Sequence, residues 1–332
     1  SGSKYLDFIA PIGNFSMTTT GGSITGDIFA ADGDLSLTGE SIDINSSDLG
    51  ILGTVTLTST VGDIGFTGGE AFNPDLVIQA NSAGMIDIFN PTGEIISGTP
   101  SAPSGLVGSM ISVVGDQVLI STDALTVDAT STTGNVAVNH QGVGSSRISV
   151  NTPSGLGLVD ITGTSGGNVV AGDINGDVVT FSGILGNVTS DTETRINGVT
   201  SVSIASTGLV DVNTTTDDIF VSAGGSVNVD NLQNSLPDLT AFITASGQTV
   251  DLTTDGNLIV TDIVANQANL TAVDILGMGT LGGLNANATA GSVDFAVDGS
   301  VVTVDANAGM GDVDLTSDAT LLVVGPTGIN AT

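Results

Sequence analysis

Apolar and polar residues alternate along almost the whole chain, with a period of two residues. This alternation is typical of short strands that bury one face and expose the other. Between the alternating segments stand Gly, Asp, Asn and Ser, which favour turns. Clear examples of the alternation are Leu35–Leu37, Val55–Leu57, Val136–Val138 and Val227–Val229. The pattern predicts an all-β protein.

A glycine-led turn followed by a short strand recurs along the chain. The glycines that begin this unit are Gly33, Gly62, Gly134, Gly225, Gly256, Gly291 and Gly311. The intervals of 29 residues from Gly33 to Gly62 and of 20 residues from Gly291 to Gly311 fit coils of about 17–22 residues, one or two coils apart. We therefore expect a right-handed parallel β-helix (a β-solenoid) of about 15–17 coils, stacked at the ~4.8 Å spacing of paired strands.

Tandem β-sandwich domains are the alternative, because they also contain short strands separated by frequent turns. A chain of 332 residues would need two or three such domains, each with its own core and linker. Aromatic residues make up only 3% of the chain, and one type of unit continues from about residue 12 to 325 without a boundary. A narrow core of Val, Ile, Leu and Ala suits thin stacked coils, so we favour a single solenoid over 12–325.

Two regions depart from the repeat. Three prolines fall within residues 89–108 and another lies within 231–239. Proline is poorly tolerated inside a paired strand, so both regions are predicted to leave the solenoid as loops. Residues 1–11 are interpreted as an N-terminal segment that contacts another subunit, and residues 326–332 as a C-terminal tail.

The charge of the chain excludes several classes of partner. Three Lys and Arg residues stand against 35 Asp and Glu, which gives a formal net charge of −32. Nucleic-acid binding needs clustered basic residues, as does attraction to an anionic membrane surface. Membrane insertion is not expected either, because no apolar run approaches the ~20 residues of a membrane helix. Low Lys with abundant Asp, Thr, Asn and Gly leads us to expect a location outside a bacterial cell or on its surface.

Few residues in the chain are suited to catalysis. There is no cysteine and only one histidine, His140, which we expect in a surface loop. Nucleophilic catalysis usually joins a serine or a cysteine to a histidine. The few basic residues also argue against an enzyme that acts on acidic polysaccharides. We expect no enzymatic activity.

Aspartate often occupies the outward position between two apolar residues. Equivalent positions of successive coils lie ~4.8 Å apart, and two carboxylates at that distance repel each other by about 0.9 kcal/mol at the dielectric constant of water. Bound calcium would relieve this repulsion. The candidate ligands are Asp211, Asp294 and Asp314, together with Asp173 and Asp177, which lie in a segment that only superficially matches a calcium loop. Alternatively, these side chains simply keep the surface soluble. No other cofactor is expected.

Residues 21–46 and 206–231 combine Gly-x-Val/Leu-x-Val/Leu strands with turns of Thr, Ser, Ala or Asn. In this the chain resembles the repeats of filamentous haemagglutinin-like proteins and related bacterial β-strand-repeat surface proteins. The resemblance implies a parallel β-helix on a bacterial surface, with an adhesive or fibre-forming role.

We therefore expect an extracellular structural protein, a rod-like subunit of a bacterial cell-surface or matrix fibre. Exposed strand edges at the ends of a solenoid invite pairing, so we predict a homopolymer assembled head-to-tail with support from calcium. The alternative is an adhesin passenger or stalk that binds a glycan or a host protein through the loop at 89–108.

Overall fold

The fold is an all-β parallel solenoid of about 14 turns, which confirms the predicted fold class with slightly fewer coils than expected. It is seen in a computed structural model. Among the residues described, no α-helix occurs, and therefore none that could cross a membrane. The structure describes residues 2–8, 13–28, 33–46, 53–68, 76–98, 105–153, 156–163, 166–232, 238–299, 301–317, 320–323 and 329–331.

The chain divides into two compact units, Ser1–Gly167 and Asn168–Thr332. In the described part of unit 1 the strands are β1 (Lys4–Phe8), β2 (Phe15–Thr18), β3 (Ile24–Ile28), β4 (Leu35–Gly39), β5 (Ile42–Ser46), β6 (Thr54–Ser59), β7 (Ile64–Gly68), β8 (Leu76–Asn81), β9 (Met85–Asn90), β10 (Ile95–Ser97), β11 (Leu106–Val107), β12 (Met110–Gly115), β13 (Val118–Asp123), β14 (Thr126–Ser131), β15 (Val136–His140), β16 (Ser146–Asn151) and β17 (Leu158–Gly163).

In the described part of unit 2 several strands are longer than any in unit 1 and continue around a corner of the coil. They are β18 (Val169–Ile184), β19 (Val188–Ser190), β20 (Ile196–Ser206), β21 (Val210–Thr215), β22 (Asp218–Ala223), β23 (Val227–Leu232), β24 (Asp238–Thr254), β25 (Asn257–Ala272), β26 (Ile275–Ala288), β27 (Val293–Asp298), β28 (Val301–Ala308), β29 (Val313–Ser317), β30 (Thr320–Val323) and β31 (Ile329–Ala331).

Among the described residues, the strand pairs whose register is seen are all parallel and join one coil to the next. In unit 1, for example, β3 pairs with β5, and β4 with β6. Coil length varies more than predicted, because Val127 lies opposite Ile111, 16 residues earlier, whereas Leu106 lies opposite Ala80, 26 residues earlier. These variable lengths explain why the sequence repeat is degenerate.

The core of each unit follows directly from the alternation of the sequence. Inward positions hold Val, Ile, Leu and Ala that are almost fully buried, such as Leu35, Leu37, Val227 and Val229. Because stacked coils place equivalent side chains next to each other, aliphatic residues lie in contact along the interior of each unit. Removing them from water is the main favourable term in folding.

Much of the region 89–108, predicted to leave the solenoid as a loop, belongs to the solenoid. Phe89 and Asn90 end β9, and β10 and β11 both pair with β8 on one side and with β13 on the other. Ile95 and Leu106 are fully buried, so the apolar core holds these segments in the solenoid despite the prolines nearby. Only residues 99–104 of this region lie outside the described residues.

The other predicted departures lie partly outside the described residues. Residues 233–237 of the smaller loop are not described, and Asp238 already begins β24. In the predicted tail, β31 pairs with β28. In the predicted N-terminal segment, β1 pairs with β3 as part of the first described coil.

Candidate functional site

Two columns of outward polar side chains follow one face of unit 2. The alternation of β21, β23, β24, β25, β26 and β28 directs these side chains outward, because the residues between them are buried valines, leucines and alanines. The first polar column contains Asp211, Asn228, Asp251, Asn269, Asn285 and Asp305. The second polar column, two residues further along each strand, contains Asn213, Asp230, Thr253, Thr271, Asn287, Asn307 and Asn330.

Hydrogen bonds connect some of the neighbours within each column. In the first column, the side-chain nitrogen of Asn228 donates to Asp211 at 2.8 Å, and that of Asn269 donates to Asp251 at 2.6 Å. In the second column, the amide of Asn307 donates to Oδ1 of Asn287 at 2.9 Å. An asparagine opposite an aspartate replaces repulsion between carboxylates by a charge-assisted hydrogen bond.

A groove of about 580 Å³ lies between the later parts of the two columns. It is lined by Asn269, Leu270, Thr271, Asn285, Asn287, Asp305, Asn307 and Asn330. The inward residues between the columns here include Ala286 and Ala306. Five of the eight lining residues are asparagines, so the groove is polar but carries little charge.

Asp211, the first of the proposed calcium ligands, lies in the first polar column. It faces Thr189 in the preceding coil and Asn228 in the following one. No second carboxylate is therefore opposite Asp211 in an adjacent coil. The nearest aspartate of the same column, Asp251, lies two coils away.

Asp294 and Asp314 form the arrangement that the sequence predicted. They lie opposite each other on β27 and β29, between the inward pairs Val293–Val313 and Phe295–Leu315. Asp294 is exposed, as is Asp314. The two carboxylates thus face water on adjacent coils, where a divalent cation could reach both.

Asp173 and Asp177 both lie on β18, four residues apart. The backbone N–H of Arg195 donates to Asp173 at 3.4 Å, and the hydroxyl of Thr200 donates to Asp177 at 2.5 Å. Each carboxylate therefore has its own partner. Across the described residues, no group of three His, Cys, Asp or Glu side chains is close enough to hold a metal ion together, and calcium binding stays a prediction.

His140 is not in a surface loop, contrary to expectation. It ends β15 and is only 2% exposed, because it shares the inward side of the strand with Val136 and Val138. Neither ring nitrogen has a hydrogen-bond partner within the described residues. Burial lowers the pKa of His140, and the backbone of Gly144 and the carboxylate of Asp123 oppose this only in part. A small cavity of about 150 Å³ adjoins the ring.

A second exposed surface of unit 2 is apolar. Phe220 and Phe242 lie opposite each other on β22 and β24 and are 44% and 41% exposed. Leu276 and Met278 are exposed on β26, and Met278 lines a groove of about 460 Å³ with Asp262 and Asp298.

The sequence indicated outward aspartates but did not indicate the asparagine columns. The missing signal was the register between coils, since Asn228 and Asn269 stand 17 and 18 residues after their aspartate partners. Comparison with protein-family models, with curated proteins and with solved structures finds no match to this chain. What relates it to other proteins is the fold, the parallel β-solenoid of β-helix repeat proteins.

Proposed function

We propose that the protein is an extracellular structural subunit of a bacterial surface or matrix fibre, similar in role to the filamentous haemagglutinin-like proteins that its repeats resemble. The observation that carries the proposal is the in-register parallel pairing from coil to coil, seen for example where β21 pairs with β23 and β27 with β29. In such a solenoid each coil is stabilised by its neighbours. Stability therefore depends on stacking, and another subunit can extend the stack.

Assembly head-to-tail follows from the same pairing. A strand edge at the end of a stack presents backbone N–H and C=O groups to a partner, and a second copy of the chain offers strands of matching length and alternation. The net charge of −32 opposes close approach of two copies, so assembly should need salt or divalent cations that screen the charge.

Electron microscopy of the purified protein tests this proposal. Negatively stained samples in EDTA and in millimolar calcium should both be examined, with sedimentation velocity on the same samples. We expect uniform filaments whose length increases with calcium. Particles that stay monomeric at high protein concentration in both buffers would contradict the fibre role.

A binding module, such as an adhesin stalk, is the second candidate function. The observation that favours it is the polar groove of unit 2, in which Asn285 and Asn330 are exposed and three further asparagines are partly exposed. Of the loop that the sequence indicated for this role, residues 99–104, between β10 and β11, lie outside the described residues. Deleting these six residues separates the two candidate sites, because binding through the loop would be lost and binding through the groove would remain.

A further inference from the structure

We propose that the groove between the two polar columns of unit 2 binds a neutral polysaccharide chain through its hydroxyl groups. The inference deepens the second candidate function and names both its site and its ligand class. It does not depend on fibre formation, so filaments and polysaccharide binding can succeed or fail separately.

The spacing of the groove suits an extended chain that lies along the stack of coils. Neighbours within a column are ~4.8 Å apart, and the two columns, two residues apart on each strand, are separated by roughly 6.6–6.8 Å. In the second column Thr271, Asn287, Asn307 and Asn330 occupy four successive coils. This row is about 14 Å long, which gives a short oligosaccharide several equivalent contacts.

The asparagines of the groove retain hydrogen-bonding groups for a ligand. A side-chain amide carries two N–H donors and an oxygen with two acceptor sites. Asn307 uses one N–H towards Asn287 and accepts one bond from Asn330 at 3.3 Å. One N–H and one acceptor site of Asn307 therefore remain. Asn285 forms no side-chain hydrogen bond with the described residues, although it is exposed in the groove.

A hydroxyl group is the ligand group that this surface fits best. It donates one hydrogen bond and accepts others, so a row of hydroxyls can meet a row of groups that both donate and accept. Ammonium groups only donate, and carboxylates and phosphates only accept. Neither would use both halves of an asparagine amide.

Charge points to the same ligand class. Among the described residues, Asp305 is the one acidic residue that lines the groove. A single carboxylate gives the groove no strong preference for cations. The net charge of −32 repels acidic polysaccharides. A neutral polymer avoids this repulsion.

Native electrophoresis through gels cast with polysaccharide provides the test, because the acidic protein migrates without added detergent. The probes are dextran, a mixed-linkage β-glucan and a galactomannan, with polygalacturonate as an acidic comparison. We expect at least one neutral polymer to retard the wild-type protein and polygalacturonate to have no effect. Titration calorimetry with oligolysine measures the competing preference for cations.

Two variants in the groove and one outside it make the test specific. Asn285→Ala should weaken binding about fivefold, as expected for one hydrogen bond, without affecting folding. Asn307→Ala should weaken it by at least as much. Asn197→Ala is the matched control, since its amide donates to Asn175 at 2.7 Å in a similar pair that does not line the groove. Circular dichroism confirms that each variant is folded.

Three results would overturn the inference. The first is no retardation by any of the three neutral polymers. The second is retardation that Asn285→Ala and Asn307→Ala leave unchanged, which would place binding elsewhere. The third is binding of oligolysine that is tighter than the binding of every neutral polymer and that Asn285→Asp strengthens, which would make the groove a cation site.

Discussion

Asn231 should be one of the most important polar residues for the stability of unit 2. Its side chain is fully buried at a corner of the coil, where β23 ends. Oδ1 accepts hydrogen bonds from the hydroxyl of Thr214 at 2.8 Å and from the backbone N–H of Thr216 at 3.1 Å. Nδ2 donates to the carbonyl oxygen of Thr216 at 3.3 Å. One side-chain amide thus forms hydrogen bonds with both the N–H and the C=O of Thr216, where the preceding coil turns.

Asn231→Ala removes these bonds and leaves their partners buried. The hydroxyl of Thr214 can rotate towards another acceptor, but the N–H and C=O of Thr216 are fixed by the backbone. Each buried group without a partner costs about 1–3 kcal/mol, and the cavity left by the amide adds to this. We expect the free energy of opening this part of unit 2 to fall by about 3–5 kcal/mol.

Hydrogen exchange measured by mass spectrometry is the suitable assay. A solenoid can open a few coils at a time, so a single melting temperature does not report a local change. Peptides that span residues 210–232 report the local free energy of opening. Asn285→Ala is the control, because Asn285 is exposed, and its replacement should change stability by less than about 0.5 kcal/mol.

Equal protection of the two variants would refute this reasoning. It would mean that Thr216 finds other partners at no cost, or that the corner is already open to water. Asn231→Asp provides a further check, since it keeps the acceptor oxygen but buries a charge. It should destabilise the corner at neutral pH and do so less at acidic pH, where the carboxyl is protonated.

The remaining predictions concern charge and close packing. The pKa of His140 is lowered by burial from its ordinary value of 6.5, so the folded state binds fewer protons than the unfolded state. The free energy of unfolding of unit 1 should therefore decline as pH falls below about 6.5, until the pH reaches the lower pKa of the folded state. Hydrogen exchange of β15 at several pH values should detect this, and a decline of equal size in His140→Leu would contradict it. If Asp294 and Asp314 share calcium, millimolar calcium should increase the protection of β27 and β29 from hydrogen exchange in the wild type, and Asp294→Asn should abolish the increase; a wild type with the same protection in EDTA and calcium argues against the site. In Gly224→Ala the new methyl group would meet the backbone oxygen of Thr207, so we expect the local free energy of opening to fall by about 1–3 kcal/mol, measured by hydrogen exchange of β22 and β23. Unchanged protection would contradict this prediction.

The fold could be predicted because the alternation of apolar and polar residues is local. Leu35 and Leu37 indicate a strand with one buried face, whatever lies next to them in space. Glycine-led turns indicate where the strands end. The same logic could have placed His140 and Asn231 in the interior, since each stands an even number of residues after buried valines. His140 was instead expected in a surface loop, and Asn231 was included in the loop predicted at 231–239 because of the proline in that region.

The groove could not be predicted because it depends on which residues stand opposite one another. Coils of 16 to 26 residues allow many registers, and a shift of two residues would pair Asn228 with Asn213 rather than with Asp211. Register is set by the packing of the core along the stack, which no short stretch of sequence contains. The outward aspartates were therefore identified individually, and their asparagine partners were not.

The variable length of the coils also affects how such a chain can change in evolution. One residue inserted within a strand would exchange the inward and outward sides of every residue up to the next turn, and would place apolar groups in water. The same residue inserted in a corner between strands leaves the inward and outward orientation of the strand residues unchanged. A whole additional coil would lengthen each polar column by one position. Related chains should therefore differ in length by corner insertions of any size and by multiples of a complete coil, while the strands themselves keep their length.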